Sequence, residues 1–328
     1  MPLRQSFSEK LIAWHAREGR KDLPWQGTRD PYRIWLSEVM LQQTQVNAVI
    51  PYYERFLKRF PTVGALAAAS EEEVLELWSG LGYYARGRNL HAAARIIAKD
   101  GFPKESFSIE KLPGVGRSTA AAIAAFAFGE RAAILDGNVK RVLSRHHGIR
   151  GFPGDKKVEA KLWDVAESLL PKKGIETYTQ ALMDLGATVC VRTPVCDACP
   201  VAKTCVARAK GLTGKIPAPR PKKALPSREA TWWLMRYNGD VLLERRPSAG
   251  LWGGLWTFPE AKPRGVSITS RRELDPLEHG FTHFRLRIRP ILCEVARAGR
   301  TAGLWMDLDQ AKGAAVPAPV RVLLGRIS

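Results

Sequence analysis

Four of the five cysteines lie within one short segment, CVRTPVCDACPVAKTC, as Cys190, Cys196, Cys199 and Cys205. Four thiolates on one loop can bind a [4Fe-4S] cluster, whose soft iron and sulfide favour cysteine ligands. Structural zinc is the alternative, but zinc ribbons usually use two separated C-x-x-C pairs and this segment has a single pair. A disulfide framework is disfavoured in a chain of this length. We expect an iron–sulfur cluster here, with the fifth cysteine, Cys293, filling a core position.

A glycine-rich turn forms the second candidate site. The stretch LPGVGRSTA, residues 112–120, places Gly114 and Gly116 directly before an alanine-rich helical pattern. Such a turn directs backbone N–H groups and the positive end of a helix dipole toward a phosphate. The spacing of a P-loop is missing and no strand pattern precedes the turn, which disfavours a nucleotide cofactor. We expect a helix-hairpin-helix contact with a DNA phosphate, and a plain turn between helices is the alternative.

The charge of the chain points to a polyanionic partner. Its 328 residues carry a formal net charge of +19, with a pI near 10, and 45% of the residues are hydrophobic. Nucleic acid is the first expectation and an anionic membrane surface the second, because no segment approaches the roughly 20 apolar residues of a membrane span. The N-terminal residues lack the apolar region of an export signal. We therefore expect a cytoplasmic protein with no membrane segment.

The elements that must position these residues change along the chain. Helical periodicity continues to about residue 210, and Asp30 followed by Pro31 is typical of a helix start. A proline-rich basic stretch then predicts a linker. Beyond it, the dipeptide Asn238-Gly239 and the alternating segment FRLRIRPILCEV predict a hairpin and a long strand. The sequence thus predicts an all-α region followed by an α+β domain.

Several long segments together carry a resemblance to a known family. They are PYRIWLSEVMLQQTQVNAVIPYYERF, GLGYYARGRNLH, GLWGGLWTFP, ILDGNVKRVL, the glycine turn and the cysteine loop. These segments resemble the helix-hairpin-helix DNA glycosylases of the endonuclease III superfamily and, within it, the MutY family of adenine DNA glycosylases. The similarity covers nearly the whole chain, because the β-rich tail fits the Nudix-like domain of that family.

The resemblance implies a multidomain fold. An all-α catalytic region over residues 1–211 would contain a six-helix barrel with the helix-hairpin-helix at about 26–135. The N-terminal helix and about 136–211 would form the subdomain that carries the cluster. A linker at 212–228 would lead to a Nudix-like domain at 229–328 that recognises 8-oxoguanine.

The resemblance also implies a reaction and the residues that perform it. The enzyme would flip adenine out of double-stranded DNA, opposite 8-oxoguanine or guanine, and hydrolyse its N-glycosidic bond. Glu38, mid-helix among apolar residues, would be the general acid, and Asp136 would stabilise the positive sugar, covalently or by charge. Ser118 occupies the position where bifunctional relatives carry a nucleophilic lysine. We therefore expect a monofunctional, monomeric enzyme that leaves an abasic site.

Further residues are implied to contact DNA or the flipped base. Those expected near the mispair are Gln42, Gln43, Thr44 and Tyr83. Those expected in the turn that holds the backbone are Leu112, Gly114, Gly116 and Ser118. The weaker candidates for the adenine pocket are Trp25, Gln180 and Met183. The segment expected to read 8-oxoguanine is Phe281, Thr282 and His283.

Three departures from the family pattern qualify this interpretation. Five residues separate Cys190 from Cys196, where the family usually has six, and an irregular loop can absorb one deletion. Thr282 stands where serine is common. The Nudix hydrolase signature is missing, so no nucleotide hydrolysis is expected. The alternative functions are a bifunctional pyrimidine glycosylase and a metal-bearing DNA-binding protein without catalysis.

Overall fold

The computed structural model describes residues 6–221, 224–248, 250–298 and 301–327. These residues fall into two compact units. The first unit comprises residues 1–64 and 92–222, and the second comprises 65–91 and 223–328. The first is helical, and the second combines a sheet with helices, so the predicted fold class is confirmed.

Several helices begin where the sequence provides a capping side chain. In chain order they are α1 Phe7–Glu18, α2 Pro31–Leu41, α3 Val46–Arg59, α4 Val63–Ala68, α5 Glu71–Trp78, α6 Tyr84–Asp100, α7 Ser106–Ile109, α8 Arg117–Phe128, α9 Gly137–His147, α10 Lys156–Ser168, α11 Ile175–Asp184, α12 Val206–Ala209, α13 Leu308–Gly313 and α14 Ala318–Arg326. The Asp30 side chain accepts from the Tyr32 N–H, and Pro31 opens α2 as predicted. Asp136 caps α9 by accepting from the Val139 N–H.

The core of the first unit fixes the helices that carry the candidate site. Alanines on α8 let it pack closely, and buried side chains from α1, α9 and α11 join it in one hydrophobic cluster. That cluster includes Trp14, Leu143 and Tyr178. A short π-helix, Leu185–Val189, continues α11 to the first cysteine of the loop. Gly186 within it lies against Asn138, where a Cβ atom would be 2.6 Å from the Asn138 Cβ.

The second unit contains a seven-stranded sheet among its described residues. The strands are β1 Ser227–Tyr237, β2 Asp240–Arg245, β3 Trp256–Thr257, β4 Ser267–Glu273, β5 Leu277–Gly280, β6 Arg285–Arg297 and β7 Leu304–Asp307. Their order is β3-β2-β1-β6-β4, with β5 paired to β6 and β7 paired to β2. β1 runs parallel to β6 and antiparallel to β2. The turn between β1 and β2 has positive φ at Asn238 and Gly239, so the predicted hairpin is confirmed.

The alternation predicted for β6 is also present. Leu286 and Ile288 are buried, whereas Arg285, Arg287 and Arg289 are exposed. Cys293 is fully buried in a small apolar cluster, which agrees with the expected core position. Residues 271–274, RREL, lie on and just after strand β4.

The units differ from the predicted boundaries in one respect. Residues 65–91, expected within the six-helix barrel, group with the C-terminal unit. Leu75 belongs to the hydrophobic core of that unit, and Glu72 accepts a 3.0 Å hydrogen bond from the Trp256 indole. The Arg88 guanidinium donates to the Gly253 carbonyl at 2.7 Å. These contacts join segments that are far apart in sequence, so helical periodicity alone does not reveal them.

The predicted linker at 212–228 is partly anchored. Strand β1 begins at Ser227, and Ile216 is buried. Arg145, itself buried, donates from Nε to the Ile216 carbonyl at 2.9 Å. The first part of the proline-rich stretch therefore packs on the helical unit. Within the described part of the chain, no helix is long and apolar enough to cross a membrane.

Candidate active site

Glu38 lies in the third turn of α2 with Ser37 and Val39 buried on either side of it. Its carboxyl group is enclosed by protein and opens to a cavity. Burial, reinforced by the nearby charge of Asp136, raises the pKa of Glu38 to about 8. A carboxyl with that pKa holds a proton near neutral pH, so Glu38 can act as a general acid.

The cavity beside Glu38 has a volume of about 550 Å³. Trp25 and Gln180, predicted as weaker candidates for a base pocket, line it together with Glu38. Trp25 is buried and lies edge-on to Tyr53, with ring centroids 5.4 Å apart. An aromatic wall and a few polar groups around an acid suit a heteroaromatic ligand. Met183, the third pocket candidate, packs instead against the helical core and is not among the lining residues.

Asp136 combines a structural and a candidate catalytic role. Its carboxylate accepts a 2.7 Å hydrogen bond from the Val139 N–H at the start of α9. Burial raises its pKa, whereas the N–H groups of Val139 and Asn138 and the charges of Arg141 and Lys140 act in the opposite direction. Because those donors and cations favour the ionised form, Asp136 is suited to remain a carboxylate beside a protonated Glu38.

The glycine turn connects to the helix that carries the acid. Gly114 has φ +76°, and Gly116 caps α8 without a side chain, so the N-terminus of α8 stays open. Leu112 is buried beneath the turn. Gln42, just after α2, donates from Nε2 to the Gly114 carbonyl and to Thr119 Oγ1, both at 3.3 Å. The predicted phosphate-binding turn is thus held against the end of α2.

Ser118 lies in the first turn of α8, and its hydroxyl oxygen accepts a 2.9 Å hydrogen bond from the Leu135 N–H. Leu135 immediately precedes Asp136, so Ser118 supports the segment that presents this carboxylate. The serine thus has a structural role at the position where a lysine would act as a nucleophile.

The residues following α2 form an exposed turn. Gln43 is exposed and has φ +57°, a conformation that L-residues other than asparagine and aspartate rarely adopt. The Thr44 hydroxyl donates to the Gln42 carbonyl at 3.3 Å. Of the three residues, only Gln43 is exposed, whereas Gln42 and Thr44 are half-buried and Gln42 contacts the glycine turn.

Tyr83 belongs to the second unit. It has φ +49° and its side chain is 49% exposed, so it is not a core residue. The Arg86 guanidinium lies 5.3 Å from the Tyr83 ring centroid and 5.5 Å from that of Trp78. An exposed ring supported by a stacked cation is suited to insertion between bases.

The segment predicted to read 8-oxoguanine forms a tight turn after β5. The Phe281 N–H donates to the Phe284 carbonyl at 2.9 Å, and the two rings stack with centroids 4.4 Å apart. Thr282 and His283 form the exposed tip, with Thr282 Oγ1 and His283 Nδ1 3.3 Å apart. Both tip side chains are therefore accessible to a ligand.

All four clustered cysteines line one cavity. Burial, together with the negative charge of the other three cysteines, raises the pKa of Cys199 to about 11. Arg145 donates to Cys190 Sγ at 3.5 Å and to the Val191 carbonyl at 2.6 Å. Four thiols that line one apolar cavity beside a cation fit an iron–sulfur cluster, because the cation offsets the negative charge of the thiolate ligands. In the described ranges, no three His, Cys, Asp or Glu side chains are arranged to hold a single metal ion.

The cysteine loop is connected to the helix that Asp136 caps. Arg141 donates from Nε to the Cys190 carbonyl at 2.7 Å and from Nη2 to the Gly186 carbonyl at 2.6 Å. Nη2 also donates to Asn138 Oδ1 at 2.8 Å. Arg141 thereby joins the first cysteine to the first turn of α9, where Asp136 is the cap.

Several polar residues of the cavity beside Glu38 are marked by no sequence motif. His15, Arg20, Arg29 and Glu176 line it, and Arg29 pairs with Glu176 at 3.1 Å. They come from α1, from the loop after it and from α11, and no local motif marks them. The one signal available was the run of charged and polar residues between α1 and α2.

Comparisons with known proteins identify both units. Residues 36–168 match the model of the HhH-GPD superfamily of base excision DNA repair proteins, and residues 230–326 match the NUDIX domain. A thermostable thymine-DNA glycosylase superposes with a TM-score of 0.56 at 30% identity, covering 62% of this chain and 95% of that one. An endonuclease III–DNA complex has a TM-score of 0.53 at 22% identity, covering 62% of this chain and 94% of that one, which shows a shared fold.

Named relatives match over a greater length. The adenine DNA glycosylase of Buchnera aphidicola subsp. Acyrthosiphon pisum is 36% identical over 97% of this chain and 96% of its own. The human adenine DNA glycosylase is 37% identical over 86% of this chain and 65% of its own. The expectation that this is an N-glycosylase with a Nudix-like tail is thereby confirmed. Because the bacterial similarity extends through both units, the chain belongs to the adenine DNA glycosylase family of base excision repair enzymes.

Proposed function

We propose that this enzyme removes adenine from double-stranded DNA where adenine lies opposite 8-oxoguanine or guanine. It does so by hydrolysis, as a monomer in the cytoplasm, and leaves an abasic site. The observation that carries the proposal is Glu38, whose raised pKa gives it a proton near neutrality, at a cavity of about 550 Å³ that Trp25 and Gln180 also line.

The cavity accounts for the chemistry of base release. A flipped adenine beside Trp25 presents its ring nitrogens to Glu38, which donates a proton to one of them. The glycosidic C–N bond then breaks, and its electron pair leaves with the neutral base. Water forms the new bond to the sugar carbon and returns a proton to the Glu38 carboxylate. The acid is thereby restored for the next cycle.

Asp136 supports the sugar during this step. The bond cleavage leaves positive charge on the sugar ring, as in other glycoside hydrolyses. The Val139 N–H at the start of α9 fixes the Asp136 carboxylate in place, so no rearrangement of its charge is needed when the sugar becomes cationic. The interaction proposed here is electrostatic.

Ser118 supports the proposed absence of strand cleavage. β-Elimination at an abasic site by these enzymes requires an amine that forms a Schiff base with the sugar. The Ser118 hydroxyl accepts from the Leu135 N–H and has no amine chemistry. Abasic sites made by this enzyme are therefore expected to stay intact until treated with alkali.

We propose that Cys190, Cys196, Cys199 and Cys205 bind a [4Fe-4S] cluster. When bound, the cluster would link the four cysteines to one another and stabilise the loop. Arg145 and Arg141 hold the first cysteine's backbone, and Arg141 connects it to the helix capped by Asp136. Exposed basic residues of the loop, Arg192 and Lys203, then contact DNA phosphates.

Recognition of the mispair is assigned to exposed turns in each unit. In the helical unit, Gln42, Gln43 and Thr44 follow the helix of the acid, and the Gly114–Gly116 turn binds a backbone phosphate. In the second unit, Tyr83 acts as a wedge and the tip Thr282-His283 contacts 8-oxoguanine. The hydroxyl of Thr282 supplies the hydrogen bond that serine supplies in other members of the family.

A substrate panel tests the proposal. Purified enzyme is incubated with duplexes that carry adenine opposite 8-oxoguanine, adenine opposite guanine, adenine opposite thymine, or 8-oxoguanine opposite cytosine. Each product is analysed with and without alkali. We expect strand breaks only after alkali, in the adenine strand of the first two duplexes. Release of 8-oxoguanine, or breaks that form without alkali at the rate of base release, would contradict the proposal.

A further inference from the structure

A fully buried carboxylate next to the base cavity has no part in the chemistry above. Asp184 is the last residue of α11, and its side chain is 1% exposed. A buried charge is costly unless it is paired and hydrogen-bonded. Two side chains that donate hydrogen bonds to it, those of Arg20 and Gln180, line the cavity beside Glu38. The carboxylate therefore acts on the cavity through these two side chains.

Both carboxylate oxygens of Asp184 are engaged. Oδ1 accepts from Arg20 Nε at 2.9 Å, from Arg20 Nη2 at 2.6 Å and from Gln180 Nε2 at 2.8 Å. Oδ2 accepts from the Arg20 backbone N–H at 2.9 Å. His15 Nε2 lies 3.3 Å from Oδ2. This arrangement fixes Asp184 and its partners in single orientations.

The hydrogen bond to Asp184 determines which atom of the Gln180 amide is available to a ligand in the cavity. An ionised carboxylate only accepts hydrogen bonds, so Gln180 must present its NH₂ group to Asp184. The carbonyl oxygen Oε1 is then the amide atom available to the cavity. A glutamine without such a partner can rotate its amide by half a turn and offer either a donor or an acceptor.

We propose that Asp184 is a positioning residue that sets the purine specificity of the enzyme. It holds Gln180 with an acceptor toward the base, which favours a purine with a donor at position 6. Adenine carries an amino group there, whereas hypoxanthine carries a carbonyl oxygen that would face the Gln180 oxygen. This inference rests on the proposed function of the cavity as the adenine pocket.

The same contacts guide the choice of variant. Gln26 donates from Nε2 to the Arg20 carbonyl at 3.1 Å and accepts from the Leu23 N–H at 3.2 Å. The loop that lines the cavity is thus one hydrogen-bonded unit attached to Asp184. A small residue at 184 would release the whole loop, so Asp184→Asn is the better test. The asparagine amide has the size of the carboxyl group, but it places an NH₂ group against a donor that binds a carboxylate oxygen in the unmodified enzyme.

The experiment compares two purines that differ at position 6. Single-turnover release of adenine and of hypoxanthine, each opposite 8-oxoguanine, is measured for the unmodified enzyme, Asp184→Asn, Gln180→Leu and the double variant. Glu130→Gln is the matched control, because Glu130 also holds local structure, accepting from the Ser106 N–H at 2.7 Å and its hydroxyl at 2.6 Å. Glu130 does not line the cavity.

We expect Asp184→Asn to lower the ratio of adenine to hypoxanthine rates by about tenfold, the scale of one misplaced buried hydrogen bond. Gln180→Leu should lower it similarly, and the double variant no further, because Asp184 acts through Gln180. Glu130→Gln should leave the ratio unchanged.

Two results would overturn the inference. One is that Asp184→Asn slows both purines by the same factor, which indicates a purely structural role. The other is that Gln180→Leu, which needs no change at Asp184, leaves the ratio as it was. Failure of the proposed function looks different, because the unmodified enzyme would then release no adenine at all.

Discussion

The raised pKa of Glu38 predicts a specific pH dependence of base release. With a pKa of about 8, the carboxyl is about 90% protonated at pH 7 and about 10% protonated at pH 9. An ordinary glutamate would be less than about 1% protonated at pH 7. If the protonated form is the active one, the single-turnover rate constant should be nearly level just below pH 7. It should then fall about tenfold between pH 7 and pH 9.

The assay is single-turnover release of adenine opposite 8-oxoguanine, at constant ionic strength, from pH 5 to pH 9.5. Asp136 must stay ionised, and burial raises its pKa, so a second decrease should appear on the acidic side. Glu38→Gln should be slow and should lack the alkaline decrease. A rate constant that is unchanged between pH 7 and pH 9, or an alkaline decrease that is already complete below pH 7, would refute the assignment of Glu38 as the acid.

Four further predictions concern the buried acid, the serine of α8, the cysteine loop and the turn after α2. Folding disfavours the ionised form of Glu38, so the unmodified enzyme loses stability as the pH rises from 5 to 8. The thermal unfolding midpoint of Glu38→Gln should therefore exceed that of the unmodified enzyme by more at pH 8 than at pH 5. An equal difference at the two pH values would contradict a raised pKa at Glu38. Ser118→Lys should allow borohydride to trap a covalent enzyme–DNA complex, which the unmodified enzyme should not form. Cys205→Ser should lower the iron content and the visible absorbance. Cys293→Ser is the control and should leave both unchanged, because Cys293 is buried in β6 and lies outside the cysteine loop. The free energy of unfolding of Gln43→Gly should exceed that of Gln43→Ala by about 1 kcal/mol, because glycine adopts positive φ without strain. Denaturant titration of the two variants measures this difference.

Local features of the fold could be predicted from sequence because short-range physics determines them. Asp30 and Pro31 start α2 through a cap and a fixed φ angle, and Asn238-Gly239 supplies the two positive φ angles of a hairpin. The alternation in β6 reflects one buried and one solvated face. Each of these signals lies within a few residues of the structure it specifies.

Site residues could be predicted from the sequence only where they lie in a recognisable motif. Glu38, Asp136 and the four cysteines belong to such motifs. Asp184 does not, because its partner Arg20 is 164 residues away in sequence and nothing local distinguishes either. The association of residues 65–91 with the C-terminal unit likewise depends on contacts such as Glu72 with Trp256, which no periodicity reveals.

The central claim is that the Glu38 proton drives the departure of adenine. The most direct measurement is the single-turnover rate of adenine release opposite 8-oxoguanine at pH 7, for the unmodified enzyme and for Glu38→Gln at matched, saturating enzyme concentration. General acid catalysis typically contributes about 10²–10⁴-fold, so the variant should be at least about 100-fold slower while still binding the duplex. Equal rates for the two proteins would contradict the account.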